Sequence, residues 1–101
     1  MEDKLIIVKQ YSNPRQVAEN ALRYFGKPVP IYISNKPISK YMIQDPSGKF
    51  VHFGAIPYED YTFHQDTDKQ FKYLKKTMNI RGRWMMNPYS PNNLSINLLW
   101  T

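Results

Sequence analysis

The chain has 101 residues, of which 42% are hydrophobic and 15% aromatic, with a formal charge of +6 and no cysteine. That length suits one domain with a single core, and the apolar share lies above that of chains too polar to fold. The absence of cysteine excludes a disulfide framework, a thiolate nucleophile and a cysteine-ligated zinc, and it suggests a reducing, intracellular setting.

The first ten residues combine an acidic start with an apolar run of only Leu5 to Val8. This is too short for a secretory signal and is expected to be a strand over Lys4 to Lys9, so secretion is not expected. No stretch reaches the length that crosses a bilayer, and no membrane partner is implied. Ser12-Asn13-Pro14 then supplies a helix start, with Asn13 as N-cap and Pro14 in the first turn, where its missing N–H costs nothing. Val17, Ala18, Ala21, Leu22 and Phe25 recur at spacings of three and four and predict one apolar face, closed by Gly26.

Residues 29–34, VPIYIS, are rich in β-branched and aromatic types and predict a strand. YMIQ and KFVHF then flank Asp45-Pro46-Ser47-Gly48, a turn in which proline pre-sets φ and glycine accepts a positive value, so the pair predicts a hairpin. Alternation sets Phe50 and His52 on the face opposite Val51 and Phe53, so only one set can be fully buried. GAIPYEDYTFHQ has no clean period and is expected to run as an ordered loop. Asp66-Thr67-Asp68 suits a helix start, and a second helix follows to Met78 with Phe71, Leu74, the stem of Lys75 and Met78 inward.

Trp84 to Thr101 contains no charged residue, yet it is among the most apolar parts of the chain. Such a segment must dock, either on the domain core or on a partner, and Ser90-Pro91 opens a short helix within it. Trp84, Tyr89, Leu98 and Trp100 are its candidate contacts with another protein or with a second copy. The whole is α+β: a single domain over 1–101, with an antiparallel sheet of three to four strands, two main helices and a short C-terminal helix. Helix, three strands and helix over 14–79 also follow the order of a double-stranded-RNA-binding domain, although Asp66 and Asp68 stand where that fold presents cations and amides to phosphate.

Charge is segregated along the chain: −4 over residues 59–68, +6 over 69–83, and +4 over the first 58. On a helix Lys69, Lys72 and Lys76 share one side, and Arg81 and Arg83 continue the run around Gly82. Six bases without an acid, Lys75 included, form a candidate phosphate-binding set whose energy would come from counterion release and would carry little sequence preference. The plain alternative is a solvated helix face. His52, His64 and Asp66 are weak candidates for a metal or a general base, because they lack the paired spacing of a zinc helix. A structural part in a loop or helix cap ranks ahead for them. No phosphate-cradling glycine loop or nucleophile elbow is present, so no catalytic residue and no cofactor are assigned. Tyr41, Phe50, Phe53, Tyr58, Tyr61, Phe63 and Tyr73 could stack on bases where they face outward, though most are expected in the core.

IYISNKPISKYMIQDPSGKFVHFG, YEDYTFHQD, KYLKK and NPYSPNNLSINLLW resemble a family of small proteins encoded by nucleocytoplasmic large DNA viruses of the giant-virus type and by some phages. The resemblance spans about residues 29 to 100 and carries no assigned activity. It implies a viral protein of the virion or the infected cell that meets nucleic acid, DNA ahead of RNA, or viral capsid proteins. The helix carries lysine where the resemblance leads one to expect arginine, which argues against bidentate phosphate recognition.

Overall fold

The computed structural model describes residues 3–101. The first element corrects an expectation: Lys4–Val8 is a helix, α1, and not a strand. Asp3 accepts the Leu5 amide at 3.0 Å and caps it, and Val8 is fully buried. A four-residue apolar run fits either period, and here an N-cap together with one buried side chain decides for the helix.

Helix α2, Pro14–Phe25, starts at Asn13, whose side chain accepts the Gln16 amide, and ends at Gly26 in the left-handed region at φ 71°. Its buried face is Val17, Asn20 and Ala21, with Tyr24 and Phe25 beside them, whereas Ala18 and Leu22 are exposed. The expected face is displaced because polar Asn20 points inward. Its amide donates to the carbonyls of Leu98 at 2.9 Å and Thr101 at 3.2 Å, tying the helix to the chain's last turn.

Three antiparallel strands follow in the order β1, β2, β3: Tyr32–Ile33, Ser39–Gln44 and Phe50–Ala55. The first is shorter than expected, in keeping with Pro28 and Pro30, which cannot donate to a ladder. The hairpin turns at Asp45, whose carboxylate accepts the Ser47 and Lys49 amides at 2.9 and 3.0 Å. Register sets Tyr41 opposite Phe53 and Ile43 opposite Val51. Tyr41, Ile43 and Phe53 enter the core, while Phe50 stays 41% exposed on the other face.

A four-residue helix, α3, Tyr61–His64, lies within the stretch expected to be irregular. Helix α4, Thr67–Met78, is capped by Asp66, which accepts the Asp68 and Lys69 amides. Its inner side is Gln70, Tyr73, Leu74 and Thr77; Phe71 (67%) and Met78 (49%) are exposed, and so is Lys75. The helix is therefore turned by roughly one residue's step, about 100°, from the expected orientation. Its anchors are not an apolar stripe. Gln70 donates to the Trp100 carbonyl at 2.9 Å, and the Tyr73 ring stacks on Trp100 with centroids 4.1 Å apart.

After a short 3-10 turn, Trp84–Met86, helix α5 runs over Pro91–Leu94 and continues with π geometry through Ser95–Leu99, where the Trp100 amide reaches the Ser95 carbonyl. It packs against α2 and β3, and Leu94, Leu98 and Leu99 join Val8, Val17, Ala21, Tyr41, Ile43 and Phe53 in one core. Burial of each leucine contributes about 1.5–3 kcal/mol. The uncharged segment thus docks on its own domain. It also occupies the contact with α2 and the sheet, so the double-stranded-RNA-binding order is present along the chain while α4 packs elsewhere. Among the described residues no helix is long and apolar enough to cross a membrane.

Candidate functional site

A hollow of about 670 Å³ lies between β3, the Tyr58–Asp60 segment, α4 and the C-terminal helix. A second, about 500 Å³, is bordered by Pro57, His64, Lys69 and Lys72. Tyr58, Glu59 and Trp100 line both, so the two make one trough.

One wall is the segment that leaves β3 through a cis Ile56–Pro57 bond. It is pinned from inside by Asp60, which receives Lys40 Nζ at 3.0 Å, both side chains being 2% exposed. Asp60 also accepts from the Thr62 hydroxyl; Thr62 Oγ1 is 3.2 Å from Ser12 Oγ, which accepts a hydrogen bond from the Tyr41 hydroxyl at 2.7 Å. Burial draws Lys40 below the usual lysine range, and the Asp60 carboxylate pulls it part of the way back. Burial pushes the Tyr41 hydroxyl well up. A buried pair of this kind contributes little net stability, but removing one partner strands a charge and costs about 3–5 kcal/mol. Room for the Lys40 stem comes from Gly54 across the ladder, at φ 81°: a Cβ there would lie 3.0 Å from Leu99 and 3.1 Å from Lys40.

The facing wall is α4. Lys69 and Lys72 border the smaller hollow and Lys76 the larger. Lys69, Lys72, Lys75, Lys76, Arg81 and Arg83 are all exposed, and among the described residues none of them makes an ion pair. The six are not one set in space with respect to the trough, since Lys75, Arg81 and Arg83 do not line it. Tyr58 is 71% exposed, and its ring is the freest aromatic surface in the trough.

The weak metal candidates do not converge as a ligand set: His64 and Asp66 adjoin but are taken up by local hydrogen bonds, and His52 is bonded on the sheet. His52 Nδ1 lies 2.7 Å from Ser34 Oγ on the sheet, His64 Nδ1 accepts the Asp66 amide at 2.9 Å, and Asp66 caps α4. Among the described residues no three histidines or carboxylates come together. His64 Nε2 is buried without a hydrogen-bond partner, and the ring leans on Trp100 with centroids 5.3 Å apart. The backbone amides of Lys69 and Asp68 hold the Asp66 carboxyl below the usual carboxylate range.

Of the expected partner contacts of the C-terminal segment, Leu98 is excluded by burial, while Trp84, Tyr89 and Trp100 are half-buried and engaged within the chain. Leu98 has no exposed surface, Tyr89 stacks on Phe25 with centroids 5.0 Å apart, and Trp100 stacks on Tyr73. Trp84 is half-buried, its indole donating to the Ile80 carbonyl at 2.9 Å. These side chains hold the fold together, because an apolar segment with a core in reach buries itself there first.

Lys40 is the residue that pattern reading passes over. The one signal for it is Gly54 opposite, a vacancy in a strand otherwise rich in bulk.

Residues 29–77 are similar to a family of unknown function (DUF5754). The match takes in the sheet, the pinned segment and α4 to Thr77, and stops short of the C-terminal helix that floors the trough. No curated protein matches the chain, and no solved structure does.

Proposed function

We propose that the protein binds nucleic acid, DNA ahead of RNA, through phosphate contacts made by Lys69, Lys72, Lys75, Lys76, Arg81 and Arg83, and that it does so without catalysis. The observation that carries this is the exposure of all six bases with, among the described residues, no carboxylate paired to any of them. A lysine face serving only solubility would gain from interspersed acids, whereas an unpaired run is the arrangement that releases counterions from a polyanion. The viral resemblance of the sequence suggests the virion or the infected cell as the setting. A capsid contact through residues 84–101 is the weaker reading, because Leu94, Leu98 and Leu99 are already covered by the core.

The test is binding of a labelled duplex and a labelled single strand across a salt series, with Lys72→Glu, Lys76→Glu and Arg83→Glu combined in one variant. Wild type should lose affinity steeply as salt rises. The triple variant should bind far more weakly and lower the salt slope by about 3, at roughly 0.9 per phosphate contact, while its melting curve stays that of wild type. Unchanged affinity in the variant would sink the proposal.

A further inference from the structure

We infer that the trough takes an unpaired base of a single strand, with the strand's phosphates on Lys69, Lys72 and Lys76 and the base against Tyr58. This rests on the phosphate-binding proposal and narrows it from nucleic acid in general to a single-stranded form.

Tyr58 is the starting point. A tyrosine left 71% exposed has kept most of its ring in water, and this one borders both hollows. Its backbone is held in place: its amide donates to the Ala55 carbonyl at 3.2 Å, and Asp60, two residues on, is fixed to Lys40 from the interior. An aromatic surface that is free and already positioned loses little entropy on stacking, which is how single-strand binders use tyrosine. Tyr73 and Trp100 cannot serve in the same way, since each gives a face to the other. They form the fixed side and floor.

Charge orients the occupant. Lys69, Lys72 and Lys76 follow one another along α4 and border the trough in sequence, spanning about 10 Å along the axis at 1.5 Å per residue. That length matches about two or three successive phosphates, at one per 3.4 Å in a stacked strand and fewer in a stretched one. Glu59, exposed on the facing wall, repels phosphate and can accept a hydrogen bond from an exocyclic amino group, as acidic side chains do with cytosine. Phosphate on the α4 side and base on the Tyr58–Glu59 side is the polarity that satisfies both walls. A hollow of about 670 Å³ is of small-ligand size; such sites run from roughly 300 to 1,000 Å³. A duplex offers Tyr58 nothing, because both faces of each internal base are already stacked.

The experiment uses the full chain with four labelled probes of equal length at one salt concentration: oligo-deoxycytidine, oligo-cytidine, an abasic strand and a duplex. Wild type should bind one of the cytosine strands more tightly than the abasic strand or the duplex. Tyr58→Ala, harmless to the fold at so exposed a site, should weaken that strand on the order of ten-fold and leave the abasic strand and duplex unchanged. Tyr58→Phe should bind as wild type does. A Tyr58→Ala variant that binds every probe as wild type does, or that loses equally on all of them, overturns the inference. The charge-reversed variant separates the two proposals: if it loses all probes while Tyr58→Ala loses none, phosphate binding stands and the base site falls. If it binds every probe normally, both fall.

Discussion

Helix α4 and the C-terminal helix meet at Trp100 and otherwise have opposite characters. The C-terminal helix has no charge and turns one side inward, with Leu94, Leu98 and Leu99 in the core and the Asn20 side chain of α2 donating to the carbonyls of Leu98 and Thr101. Helix α4 carries four exposed lysines and is fastened mainly by Gln70 and Tyr73. The difference leaves one helix to the fold and the other, on the proposed function, to binding. A helix held by a few contacts at its inner edge can devote the rest of its circumference to charge. The C-terminal helix is held through Leu94, Leu98 and Leu99, and those three side chains are already covered by the core.

Amide exchange followed residue by residue tests this division. Leu98→Ala, which opens a cavity between α2 and the sheet, should cost about 2–5 kcal/mol and lower protection throughout the molecule, α2 and β2 included. Loss confined to residues near 98 would mean that the C-terminal helix is an appendage after all. Asp66→Ala should act on the other region only. It removes the acceptor of the Asp68 and Lys69 amides, so exchange in α4 should accelerate by roughly two- to thirty-fold with the sheet unaffected. An equal effect in β2 and β3 would show that α4 is part of the cooperative core.

The elements most legible in the sequence were those fixed by local chemistry. Asn13, Pro14 and Gly26 bound α2, and Asp45 to Gly48 make the hairpin, because caps and turns depend on residues a few positions apart. What escaped were the faces. The inward side of α2 is decided by Asn20 serving carbonyls some eighty positions away, and that of α4 by two side chains reaching Trp100. Apolar periodicity cannot register a docking made by an amide and a ring. The site divides in the same way. That Lys69, Lys72 and Lys76 share one side of a helix follows from spacing alone. That they confront Tyr58 and Glu59 depends on Lys40 seizing Asp60, a long-range contact with no trace in either residue's neighbourhood beyond Gly54.

The smallest expected effect belongs to the sheet and leaves both helices out of account. The Ser34 hydroxyl accepts the Lys36 amide at 3.0 Å and pairs with His52 Nδ1 at 2.7 Å. Burial first, then Lys36 and Lys4, hold His52 below the ordinary histidine value. The unfolded chain, titrating near pH 6.5, therefore takes up its proton before the folded one as the solution is acidified. Below about 6.5 the unfolded state binds more protons, so stability falls with falling pH until the folded value is passed, and then levels. Melting temperature should decline modestly over that window in wild type, and His52→Gln should remove this residue's share of the slope. A slope that persists unchanged in the variant would place the titrating group elsewhere and leave His52 a bystander in the sheet.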